Sequence, residues 1–150
     1  MIRNSQKLVI SSPIMHMETR KKRFAGVSHG LSEAGYDIRI AQTMWLHPLR
    51  KFRLASSIEY FRMPDDLVGV VHDKSTWARR KLSVFNTVIE PGWCGWLTLE
   101  LVYHGWTPIK LEKGMGIAQV LFSEIESPST YMGKYQYASN KPQEAIFEKA

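Results

Sequence analysis

After a turn at Pro91-Gly92, the segment Gly95–Tyr103 alternates without a break: Trp96, Thr98, Glu100 and Val102 share one face of an extended chain, and Leu97, Leu99, Leu101 and Tyr103 share the other. A period of two belongs to a strand, and the leucine face has to be turned toward a core. Tyr36–Ile40 repeats the pattern, with Tyr36, Ile38 and Ile40 on one side and Asp37 and Arg39 on the other. Phe52–Phe61, Leu67–Val71, Ser83–Ile89, Ile109–Leu111 and Ile117–Phe122 are further strand candidates. Turns fall at Met63–Asp66 and at Lys113-Gly114, where Pro, Asp and Gly suit turn geometry. Ser75–Lys81 reads as a single helical turn capped by Ser75. Many short strands with this punctuation predict an all-β domain, a sandwich or barrel.

The amino-terminal third carries less information. Lys7–Ile10 is expected to form a short strand, and Pro13 limits any helix there. Arg20-Lys21-Lys22-Arg23 is a basic run, expected as a solvated loop with phosphate contact as the minority reading. At 150 residues the chain is most simply one domain, 1–150, able to bury about 68–70% of its unfolded surface. Residues 126–150, rich in Ser, Tyr, Lys and Asn, are expected to be a mobile tail until something orders them.

A single cysteine, Cys94, rules out an internal disulfide and points to a reducing compartment. No apolar run reaches the ~20 residues that span a bilayer. The first residues lack the profile of a signal peptide. The expectation is therefore a cytoplasmic protein with no membrane partner. A net charge of +6 favours an anionic partner, nucleic acid or a nucleoside triphosphate, without choosing between them.

Chemistry concentrates between Asp73 and Leu101. Lys74, Ser75, Thr76 and Arg79 offer cations, hydroxyls and backbone N–H groups in one short loop, a combination that suits phosphate. Glu100 lies between Leu99 and Leu101, where burial would raise its pKa toward neutrality and fit it for proton transfer. His16-Met17-Glu18 spells the H-x-E of zinc deaminases, but those also need a P-C-x-x-C pair that one cysteine cannot supply.

The segments LASSIEYFRMPDDLVG (54–69), DKSTWAR (73–79), IEPGWCG (89–95) and TLEL (98–101) follow one another in a particular order, with AGYDIRI (34–40) before them and GMGIAQVLF (114–122) and GKYQ (133–136) after. In sequence and order they resemble the dCTP deaminase family, the deaminating branch of the trimeric dUTPase superfamily. The resemblance spans roughly residues 34–136. It implies a distorted jelly-roll, or β-clip, dUTPase-like domain and a homotrimer with active sites shared between subunits. The implied reaction is hydrolysis of dCTP to dUTP and ammonia, with Mg²⁺ carried by the triphosphate and no zinc.

By the same resemblance Glu100 relays protons between water, the ring and the leaving amine. Arg79 holds the carboxylate and base, and Ser75 orders the water or the amine. Lys74, Ser75 and Thr76 face the triphosphate. Thr87 and Val88 border the base, Glu90 and Trp93 the deoxyribose, and Gln119, Lys134 and Tyr135 the phosphates. Asp37 has a structural part. The chain departs from the family pattern in three places: Asp73-Lys74 replaces Gly-Arg, the run from Arg79 to Glu90 is shorter, and Ala138 stands where a glutamine is usual. Glu90 itself replaces an aspartate that phosphate-cleaving relatives use on water. The alternatives are a dUTPase, a bifunctional deaminase–diphosphatase producing dUMP, a relative acting on a modified deoxycytidine nucleotide, or a non-catalytic nucleotide-binding module. A nucleic-acid binder ranks last, for want of a recognisable motif.

Overall fold

The computed structural model describes residues 5–149. Residues 1–4, where the expectation about a signal peptide begins, and Ala150, the last residue of the expected tail, lie outside the described residues. Among the described residues, eleven strands are arranged in two main sheets and a ribbon. The larger sheet takes β1 (Lys21–Phe24), β2 (Val27–Leu31), β3 (Gly35–Arg39), β11 (Gly116–Glu124), β6 (Leu67–Asp73) and β8 (Val88–Ile89), in that order. The second takes β5 (Phe52–Arg62), β9 (Cys94–Tyr103) and β7 (Leu82–Val84), and β4 (Met44–Leu46) pairs with β10 (Ile109–Leu111). All the pairings between these strands are antiparallel. The fold is all-β and of the jelly-roll kind, as expected. No helix among the described residues is long and apolar enough to cross a membrane.

One core joins the two sheets. Leu97, Leu99, Leu101 and Tyr103 of β9 are buried, and so are Tyr36, Ile38 and Ile40, together with Val71, Val120 and Phe122. The opposite face of β9, which carries Glu100, is only half-buried. In β5 the pairing to β9 shifts between Ser56 and Tyr60. Ser57 and Glu59 alternate inward with Ala55 and Phe61 on the same face of the strand. Glu59 then accepts from the backbone N–H and the Nε of Arg39, both at 2.8 Å, and Ser57 Oγ accepts from the N–H of Leu97 at 2.9 Å.

Several local expectations are corrected. Lys7–Ile10 belongs to α1, Ser5–Ser11, which buries Leu8 completely and ends before Pro13; no neighbouring strand offers it a ladder. Arg20–Arg23 is not a loop: Lys21–Arg23 lie in the exposed strand β1, paired with β2, so its backbone is bonded while its side chains stay in water. Ser83–Ile89 is two strands, since β7 pairs with β9 and β8 with β6. The chain crosses between sheets at 85–87, held by Asn86 Nδ2 donating to the carbonyl of Val71 at 2.8 Å. In α2, Ser75–Ala78, the N-cap position belongs to Lys74 and not to Ser75, and no side chain caps it.

The carboxy-terminal segment folds back on β9. Tyr137 N–H donates to the Cys94 carbonyl at 2.8 Å, and Trp96 N–H donates to the Ala138 carbonyl at 3.1 Å. Gly95 allows this approach. Its φ is +151°, and a Cβ there would lie 2.8 Å from the Ala138 nitrogen. Gly95→Ala is therefore expected to cost about 1–3 kcal/mol and to release the tail. A lowered Tm and earlier proteolysis after residue 130 would show it; unchanged cleavage would mean that other contacts hold the tail.

Candidate active site

A cavity of about 500 Å³ opens on the half-buried face of β9. Trp96, Thr98 and Glu100 form its floor because they alternate on one strand face. Phe52 and Leu54 wall one side, since Leu54 lies opposite Glu100 in the β5–β9 register. Thr87, Val88, Glu90 and Trp93 form the other side, brought in by the short strand β8 and the turn after it. The tail closes it through Tyr131, Tyr135 and Ala138, and Gln143, Glu144 and Ala145 also line it.

Glu100 is the unusual group in this cavity. Its Oε2 is buried and has no hydrogen-bond partner. Burial raises its pKa above the ordinary carboxylate value. An unpaired acceptor in an aromatic-walled hollow is costly to a fold, by about 1–3 kcal/mol. Such a group is poised to bond an incoming ligand and to exchange a proton with it.

Tail and cavity wall are tied together. Trp93 Nε1 donates to the Tyr135 carbonyl at 2.7 Å, Cys94 N–H donates to Gln136 Oε1 at 2.7 Å, and Gln136 Nε2 donates to the carbonyls of Gly92 and Tyr131, each at 3.0 Å. Gln143 N–H donates to Thr98 Oγ1 at 2.9 Å, and Ile146 N–H to the Tyr135 hydroxyl at 3.0 Å. Gln136, two residues before Ala138, thus ties the tail to the turn before β9.

The structure gathers Glu100, Thr87, Val88, Glu90, Trp93 and Tyr135 around the cavity. Lys74, Ser75, Thr76, Arg79, Gln119 and Lys134 do not line it. Ser75, Thr76 and Arg79 are exposed on or beside α2, where Arg79 Nη1 donates to the Ser75 carbonyl at 3.2 Å. Lys74 is buried, its ammonium 2.5 Å from Asp37 Oδ2 and 2.9 Å from Ser28 Oγ. Gln119 donates to Ser32 Oγ at 3.2 Å and Asp37 Oδ1 at 3.3 Å. Lys134 Nζ sits 5.4 Å from the ring centre of Tyr135.

The lining residues contain no Lys, Arg or His. The cavity can hold a ring against aromatic walls, but one chain provides no cation in it for a phosphate. Among the described residues no three His, Cys, Asp or Glu side chains converge as metal ligands. The alternation places Trp96 and Thr98 on the face of Glu100, but neither is among the site residues read from the sequence. For Phe52, Leu54, Tyr131 and the 143–145 segment no sequence signal exists, because only pairing and tail packing bring them in.

The dCTP deaminase-like family profile matches residues 37–125. A dCTP deaminase of Roseiflexus castenholzii is 34% identical, over 73% of this chain and 78% of that protein. One of Campylobacter jejuni is 35% identical, over 73% and 77%. Among solved structures, the dUTPase of Staphylococcus bacteriophage 80alpha superposes with a TM-score of 0.59 at 19% identity, covering 77% of this chain and 88% of that one. The EIAV dUTPase gives 0.57 at 20% identity, covering 83% and 92%. These two likenesses establish the fold.

Proposed function

Because this chain belongs to the dCTP deaminase-like family of nucleotide hydrolases, we propose that it converts dCTP and water to dUTP and ammonia, with Glu100 moving the protons. The supporting observation is the buried, unpartnered Oε2 of Glu100 on the floor of a cavity that can enclose a pyrimidine. The ionised carboxylate takes a proton from water as the oxygen bonds to cytosine C4. The resulting acid returns that proton to the exocyclic nitrogen, the C–N bond breaks and ammonia leaves, and the remaining hydroxyl proton passes to N3 to give the uracil ring. Trp93 borders the sugar and Tyr135 closes the tail over it. Thr87 and Val88 meet the edge of the base; the Thr87 carbonyl already accepts from Val71 N–H at 3.0 Å, so its side chain is the freer contact.

Ser75, Thr76 and Arg79 are exposed and outside the cavity of their own chain. In this reading a homotrimer presents them to the cavity of a neighbour, where the guanidinium supplies the cation one chain lacks. Gln119 and Lys134 assist the phosphates, and residues 126–150 act as a lid. The nucleotide arrives as its Mg²⁺ complex, the ion belonging to the substrate, and the protein contributes no zinc. Mixing inactive Glu100→Gln with inactive Arg79→Ala is expected to restore part of the activity, because some mixed sites carry both intact groups. Absence of any recovery after subunit exchange would show that each chain builds its own site.

Glu90 lines the same cavity, which favours a second reading in which it activates water at the α-phosphate. Its side chain is one methylene longer than aspartate, about 1.5 Å, and misplacement by about 1 Å can cost roughly 10²-fold. The expected products from dCTP with Mg²⁺ are therefore dUTP and ammonia with little pyrophosphate. Chromatography of dCTP, dUTP and dCMP incubations decides. Pyrophosphate in step with ammonia identifies a bifunctional enzyme, and pyrophosphate without ammonia overturns the deaminase reading.

A further inference from the structure

Three segments distant in sequence meet at one end of the molecule. Tyr103 N–H donates to the Lys51 carbonyl at 2.9 Å, and His104 N–H donates to the Lys81 carbonyl at 2.8 Å. These bonds tie the start of β5, the end of the α2 loop and the loop after β9 into one surface. Beside them a turn closed by Arg50 N–H donating to the His47 carbonyl at 3.0 Å projects Leu49, which is 92% exposed. Trp106, in the loop after β9, is 86% exposed, and Trp45, opposite Lys110 in the β4–β10 ribbon, is 59% exposed.

Charge gathers on the same segments. Arg79 apart, residues 41–58, 80–84 and 102–113 contain seven Lys and Arg and a single acid, Glu112, whose carboxylate Lys110 meets at 3.4 Å. That excess of six equals the whole chain's +6, so the remaining residues balance in charge. An exposed indole has a flat face on which any base can stack, and flanking cations follow a phosphodiester backbone.

We propose that this face binds single-stranded nucleic acid, with Trp106 as a stacking platform and Arg50 and Lys51 as backbone contacts. No sequence motif announces it, because its members come from three separate segments.

Fluorescence anisotropy of a labelled oligothymidylate of about 16 nucleotides with the full chain tests it. Trp106→Ala is expected to raise Kd at least about fivefold. The double variant Arg50→Ala/Lys51→Ala is expected to lower the slope of log Kd against log salt by about 1.4, from about 0.7 per phosphate contact on a single strand. Equal-length duplex and polyglutamate are expected to bind more weakly. Unchanged Kd in both variants overturns the proposal, as does equal affinity for duplex or polyglutamate. A change of mass in light scattering for either variant also overturns it, since the face would then be a contact between copies.

Discussion

Glu100→Gln is expected to slow dCTP deamination by at least about 10²-fold while nucleotide binding persists. The amide keeps the shape of the side chain between Leu99 and Leu101 but can neither take a proton from water nor return one to the amine. Near-normal turnover in this variant would end the assignment. Stability should move the other way. Burial raises the Glu100 pKa above its ordinary 4.5, so across the interval above that value the folded chain holds a proton that the unfolded chain has released. Its contribution is fully present below the unfolded-state pKa and is lost as pH rises through the folded one. Glu100→Gln removes that loss, so the variant should melt higher than the wild type at neutral pH, with the gap closing in acid. The same ionisation should appear as the acidic limb of kcat/KM, displaced upward from 4.5. Opposite movement of activity and Tm is a signature that a merely structural glutamate would not produce.

Lys74→Met is expected to destabilise the fold by about 3–5 kcal/mol. Family resemblance directs Lys74 to a triphosphate, whereas the structure commits its ammonium to Asp37 and Ser28, with side-chain exposures of 9% for Lys74 and 5% for Asp37. Removing the cation strands the Asp37 carboxylate in the interior, with Gln119 Nε2 at 3.3 Å and Ser28 Oγ at 3.4 Å as its remaining side-chain partners. For a chain of this size the loss corresponds to a Tm lower by roughly 10 °C. Pairing Lys74→Met with Asp37→Asn should recover most of it, because the second change removes the stranded charge. A normal Tm with a raised KM for nucleotide would instead place Lys74 on the phosphates.

The alternation from Gly95 to Tyr103 determined by itself that β9 exists, which of its faces is buried and that Glu100 opposes the leucines. Period-two patterning is local, and burial of one face settles it. The same logic placed β3, β5, β6, β10 and β11. It missed the helix at Ser5–Ser11 and the break at 85–87, where the outcome depends on which neighbour supplies hydrogen bonds, a matter no local pattern records. Glu100, Glu90 and Trp93 were legible as candidates because their residue types carry chemistry.

Only the tertiary structure decided which candidates meet. Strand register set Leu54 beside Glu100, the tail brought Tyr131 and Tyr135 over Trp93, and Glu100 Oε2 was left unpaired. The ion pair between Lys74 and Asp37 joins residues 37 positions apart. Burial and pairing are properties of what surrounds a side chain, and those surroundings come from strands distant in sequence; residue type says what a group can do, and packing determines whether it is free to do it.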